Sequence, residues 1–369
     1  MSFSPTIVRP LPPGSTSTDA SLVQPAATVI ESLSEAARGR WDDFVEAHPD
    51  GTFFHRTGWR SVIEQAFGHR THYVYARRGD QITGVLPLVH LNSRIFGSAL
   101  ISNAFCVRGG PLGTDRESVE LLRQCATDEM DRLGAERLEF RLDGPSGAPG
   151  WLSRSDVYAN FRRPIGADDD QNLKAIPRKQ RAVIRKSLEN DLEASDDPDV
   201  RRFHRIYAES VRNLGTPVFP RRYFQLLVDE FAECSEILTV LDHGKPISAV
   251  LSFFFRGEVL PYYGGGRPLA RSCGANDFMY WELMRRAARR GCRVFDFGRS
   301  KLGTGAYAFK KNWGFPAEPL TYEFRVREGM KIPDHTPLNP KYRLYIAAWK
   351  RLPLPVANLL GPPIVRCLG

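Results

Sequence analysis

Slid against itself by 165 residues without gaps, the chain places Phe54 on Phe219, Gly79 on Gly244, Ile82 on Ile247, Val85 on Val250 and Leu86 on Leu251. Both copies follow one plan. A helical segment rich in aromatics (Trp59, Ile63, Phe67; Phe224, Leu226, Phe231) leads to a strand (Tyr73–Ala76; Ile237–Leu241). A glycine turn follows (Arg78-Gly79-Asp80; His243-Gly244-Lys245), then a second strand (Ile82–Leu88; Ile247–Phe254). A glycine-centred turn between two short apolar runs is a hairpin signal. Helix–hairpin units are common, so five matches can also arise by chance; the shared order of elements favours duplication. The period is far too long for a solenoid repeat. It fits two domains of one α/β (α+β) fold, each a mixed, mostly antiparallel twisted sheet with flanking helices.

The 369 residues agree, at roughly 100–200 residues per domain. Residues 1–27 are rich in Pro, Ser, Thr and Ala and read as a disordered lead. The first domain takes 28–165. The second, 166–328, opens on Gly166-Ala167-Asp168-Asp169-Asp170 and carries the candidate site. Residues 329–369 are a Pro-rich segment with an amphipathic helix. The twin sheets are expected side by side, with a crevice between them.

The stretch that would line that crevice is FDFGRSKLGTGAYAFKKNWGF, 295–315. A buried strand ends on glycines, which let a backbone approach a ligand closely. Arg299, Lys301, Lys310 and Lys311 bring positive charge there. Donors of this kind suit a developing oxyanion or a donor phosphate; an exposed basic hairpin is the other reading. Two motif matches inside it fail on context. Asp296-Phe297-Gly298 spells the kinase metal-binding triplet without the rest of a kinase. Gly303–Ala308 spells a dinucleotide fingerprint with no parallel sheet to follow.

The net charge of +9 favours anionic partners without choosing among them. Six cysteines without CxxC or Cys/His clusters suggest free thiols, a reducing compartment and no metal site. There is neither a signal-peptide pattern nor an apolar run of about 18 residues. The segment 172–192 predicts one basic helix. Its Arg178, Lys179, Arg181, Arg185 and Lys186 form either a solvated face or a polyanion groove. A catalytically inactive RNA-binding scaffold would use that run. Helix 341–352 puts Tyr342, Tyr345, Ile346, Trp349 and Leu352 on one face, expected to dock on the protein; peripheral membrane contact is the alternative. Asp143, at the end of RLEFRLD, is either a turn residue or a proton acceptor for an amine. His55 and Arg56 are candidates for a polar pocket.

Taken together, the basic IPRKQRAVIRK, YYGGGR with Tyr263, the closing FDFGRS…GTGAYAFKKNWGF with Tyr307, and NPKYRLYIAAWKRLPLPVANLLGP resemble FemAB-related acyltransferases. The branch they resemble is the one associated with exosortase (PEP-CTERM) and exopolysaccharide loci. The resemblance implies two tandem GNAT-like (acyl-CoA N-acyltransferase) domains and transfer of an acyl or aminoacyl group onto an amine. It implies acyl-CoA or aminoacyl-tRNA as donor, with no permanently bound cofactor. The implied acceptor is an amine-bearing polysaccharide or peptidoglycan-type precursor, met in the cytoplasm or at the inner membrane face. The family's Phe-Lys matches Phe309-Lys310, where the lysine helps stabilise the transferred group, and its aspartate after the central strand matches Asp143; Arg299 would add charge. Arg271-Ser272-Cys273-Gly274-Ala275-Asn276 begins like the RxxGxG/A pyrophosphate loop of GNAT enzymes, in which Arg271, Gly274 and Asn276 would bind, although Asn276 could instead cap the helix. The family's nucleotide-sugar-binding lysine and arginine have no equivalents near Trp59 or Phe219, and the helical-arm insertion is missing.

Overall fold

The computed structural model describes residues 26–94, 96–330, 332 and 340–369; the lead up to residue 25 and the Pro-rich 333–339 lie outside the described residues. The chain begins with β1 (Thr28–Ser32), α1 (Arg38–Ala47) and α2 (Gly58–Phe67). In α2, Trp59, Val62, Ile63 and Phe67 recur at helical spacing and are buried, and Gly68 at φ 67° ends the helix. Next come β2 (Arg70–Thr71), β3 (Val74–Arg78), β4 (Gln81–Leu86), β5 (Leu88–Ser93), β6 (Gly97–Ser102) and β7 (Leu112–Gly113). Helix α3 (Arg116–Leu133) starts on Asp115, whose side chain accepts from the Ser118 amide. Strands β8 (Arg137–Leu142) and β9 (Leu152–Pro164) follow.

The predicted helix 172–192 is two helices, α4 (Asp169–Lys174) and α5 (Arg178–Leu188), and Leu192 opens the strand β10 (Leu192–Asp196). Pro177 lies between the helices, since a proline cannot continue a helix from within. Then come α6 (Val200–Leu214), α7 (Arg221–Glu230), β11 (Ser235–Asp242), β12 (Lys245–Phe255), β13 (Glu258–Gly266), α8 (Pro268–Ser272) and α9 (Ala275–Arg289). The chain closes with β14 (Val294–Lys301), α10 (Gly305–Asn312), β15 (Ala317–Val326), α11 (Pro340–Trp349) and α12 (Leu354–Val365). Both expected helix–hairpin units are present, as α2–β3–β4 and α7–β11–β12.

The sheets are not twins lying side by side. One continuous ladder of eleven strands runs β10-β11-β12-β13-β14-β9-β15-β8-β6-β5-β2, and four strands, β1-β3-β4-β7, form a second sheet. Two exchanges produce this. Strand β9, from the first half of the sequence, pairs with β14; β15, from the second half, pairs with both β9 and β8. The halves also share apolar packing: Phe53 stacks on Phe253 at 4.6 Å between ring centres, and Phe67 lies 5.0 Å from Tyr223. Strands β13 and β14 are parallel neighbours at only two register positions, Glu258–Val294 and Val259–Phe295. Beyond these β13 and β14 no longer pair, while β14 stays on β9, which leaves a wedge beside Asp296, Gly298 and Arg299.

Candidate active site

Strand β14 bends where it leaves β13. Its register against β9 slips between Asp296 and Arg299, and Gly298 takes φ +70°, a conformation natural to glycine. The Asp296 carboxylate fixes the bend. It is buried and accepts from the Gly298 amide at 2.7 Å and from Asn160 Nδ2 at 3.0 Å. The bend aims the carbonyls of Gly298 and Arg299 at one point, and Lys310 Nζ stands there, donating to them at 2.9 and 3.1 Å.

Lys310 arrives on a helix rather than a hairpin. Thr304 caps α10 by accepting from the Tyr307 amide, which turns a glycine-dense stretch helical. Lys310 is half-buried, with Nζ 5.6 Å from the centre of the Phe161 ring. Burial lowers its pKa to about 7; Asp296 opposes the fall and Arg299 adds to it. A neutral amine bonded to two carbonyls through its hydrogens keeps its lone pair for a proton. This is the chemistry of a general base working near neutral pH.

Arg299 lies on the other side of its own carbonyl. Its guanidinium covers the Tyr158 ring at 4.5 Å and donates to Tyr322 Oη. It lines a cavity of about 440 Å3 together with Arg137, Arg141, Arg154, Lys301 and Glu139. Among the described residues that line it, Glu139 is the acidic side chain, bonded to Arg141 at 2.9 Å.

Asp143 reaches this centre indirectly. It is largely exposed and paired at 2.5 Å with Arg108, whose other nitrogen lies 3.8 Å from Asp296. The groups that sequence reasoning missed are Arg108, Asn160 and Asp296. Asp296 could have been found as the single acid on the strand that ends at the basic loop.

The other candidates lie apart. His55 is buried, bonded through its ring nitrogens to Thr52 and the Gly110 carbonyl, and burial lowers its pKa to about 4, so it is a neutral structural group. Arg56 pairs with Glu233 and lies 5.6 Å over the Phe231 ring. Tyr263 is buried and shares a 2.8 Å hydrogen bond with Tyr223. Tyr307 packs edge-on against Phe161, and Lys311 is exposed. Arg178 is exposed on α5, and Arg181 donates to the Lys174 carbonyl. Arg271 is exposed on α8. Gly274, not Asn276, occupies the N-cap position of α9; the Asn276 amide oxygen is buried without a partner. A side chain at Gly274 would meet Ser187 of α5, so α5 covers this helix start.

Residues 174–311 match the family model described as an acetyltransferase (GNAT) domain. The second half carries a GNAT acetyltransferase domain. The chain is therefore an acyltransferase, and the donor such domains use is acyl-CoA, so the aminoacyl-tRNA alternative finds no support there. No curated protein matches the sequence. Among solved structures, FemX is similar with a TM-score of 0.63 at 15% identity, over 86% of this chain and 100% of that one. The C-terminal domain of a putative lysylphosphatidylglycerol synthetase from Agrobacterium fabrum is similar at TM-score 0.53 and 13% identity, over 79% and 92%. A tandem GNAT protein from the clavulanic acid biosynthesis pathway gives 0.51 at 14%, over 83% and 100%. At these identities the likeness is one of fold, a mixed α/β, GNAT-like one.

Proposed function

We propose that the protein transfers an acyl group from acyl-CoA to an amine carried by an anionic acceptor, with Lys310 as proton acceptor. One residue carries this reading: Arg299 holds Lys310 Nζ through its carbonyl while its guanidinium lines the cationic cavity. An acceptor anchored there by carboxylate or phosphate would present its amine next to the lysine. The amine nitrogen attacks the thioester carbonyl, the N–C bond forms and the C–S bond breaks. Lys310 takes the ammonium proton and returns it to the departing thiolate. The backbone of β13 along the wedge has an open edge, which suits an extended donor arm. The exposed Arg178, Lys179, Arg185, Lys186 and Arg271 add a positive field for donor phosphates.

An anionic cell-envelope or exopolysaccharide precursor, handled in the cytoplasm or at the inner membrane face, fits both this cavity and the sequence resemblance. The test combines purified protein, acetyl-CoA and a panel of aminosugar and amino-acid amines, with and without a phosphate or carboxylate, while free thiol is followed. Thiol release that needs protein and rises with the anionic amines is expected. Charged tRNA serves as the competing donor, and transfer from it alone would overturn the donor assignment.

A further inference from the structure

The C-terminal helix α12 is held to the body along one side and bare along the other. On the inner side Ala357, Gly361 and Val365, spaced by four, are buried. A Cβ on Gly361 would come within 2.8 Å of the Val218 amide nitrogen, so the helix sits close against that segment. The Arg366 carbonyl is bonded to His69 at 2.8 Å, and the Lys350 carbonyl to Arg212 at 3.2 Å. The outer side consists of Pro355, Val356, Leu359, Leu360 and Pro363, a single helical face, all exposed and all apolar. Leu359 is 74% accessible. On α11, Leu344 and Tyr345 are 79% and 71% accessible, so Tyr345 does not dock as its spacing predicted. A contiguous apolar face of this kind marks an interaction surface.

Its charge frame identifies the partner. From residue 335 to the last residue there is no Asp or Glu, but there are Lys341, Arg343, Lys350, Arg351 and Arg366. Among the described residues no helix is long and apolar enough to cross a membrane. Exposed apolar side chains on a segment whose charged residues are all cations match the boundary layer of an anionic bilayer, where leucines insert among the acyl chains and arginines meet phosphates. We propose that the outer face of α12, together with the exposed Leu344 and Tyr345 of α11, seats the protein on an anionic lipid surface.

The test sediments the full chain with vesicles of phosphatidylcholine alone and of phosphatidylcholine with phosphatidylglycerol at roughly 2:1. Co-sedimentation with the anionic vesicles, lost at high salt, is expected. Leu359→Asp combined with Leu360→Asp should weaken it about tenfold or more at an unchanged melting temperature, because both side chains already face water. Lys350→Gln with Arg351→Gln should weaken it less, in a salt-dependent way. Equal binding to neutral vesicles, no binding to either, or an aspartate variant that binds like the parent overturns the proposal. So does light scattering that shows a dimer dissociated by Leu359→Asp, because the face would then join two copies.

Discussion

Glu323 on β15 meets Arg123 on α3 at 2.6 Å, with both side chains buried. The arginine also lies over the Trp151 ring at 4.5 Å, and the Ser146 amide and hydroxyl complete the carboxylate's bonds. Burial alone would raise the Glu323 pKa; Arg123 and Ser146 outweigh it and hold the group below the ordinary range. Glu323→Ala leaves a buried guanidinium without its partner and should cost about 3–5 kcal/mol in denaturant unfolding. Replacing both residues by methionine should recover most of that loss.

Lys310→Met should reduce kcat by about 100-fold or more while the protein stays folded. In the parent the rate should rise with pH through about 7, as the amine becomes neutral. The stability sign is the same. The unfolded lysine keeps its proton up to its ordinary value near 10.5, while the folded one releases it near 7. Over that window the unfolded state binds more protons, so folding gains stability as pH rises. Melting temperatures of parent minus Lys310→Met should increase from pH 7 to pH 9.

Asp296 works against the depression of the Lys310 pKa. Asp296→Asn keeps an acceptor for the Gly298 amide but removes the charge. The midpoint of the pH–rate profile should therefore move below its parent value. An unchanged midpoint would mean that the carboxylate serves only to hold the bend.

His55 predicts acid sensitivity. It is buried with its pKa lowered to about 4, against 6.5 for an ordinary histidine. As pH falls from 6.5 to 4 the unfolded chain gains a proton that the folded one refuses. About 3 kcal/mol of stability should be lost across that interval. Urea midpoints measured every half unit should show this slope, and His55→Gln should flatten it.

At Gly58 a Cβ would come within 2.7 Å of the Phe231 ring, where α2 faces the segment after α7. Phe231 is 1% accessible and cannot swing away. Gly58→Ala should cost about 1–3 kcal/mol, seen as a lower melting temperature.

The periodic elements were legible in the sequence because their signals are local. The spacing in Trp59–Phe67 and the glycine turns at 79 and 244 gave both helix–hairpin units, and the acyl-transfer class came from the resemblance carried by several stretches of the second half. The strand exchange was not legible, because nothing local in Leu152–Pro164 says which strand it will lie beside. The misreading of Gly305–Asn312 as a hairpin came from weighing glycines over the cap at Thr304. Asp296 was hidden by an irrelevant triplet match, and its value emerged only from the bend it holds. Arg108 joins Asp143 to Asp296 across more than 150 residues of sequence, a distance that no motif spans.

Because β15 completes the ladder that β8 and β9 begin, the opening half stays unfinished while the ribosome is still making the second. Until Val326 has left the exit tunnel, one edge of β8 waits for a neighbour. A truncated chain ending near residue 165 should therefore be a sticky fragment rather than an independent module, prone to pair that edge with other nascent chains.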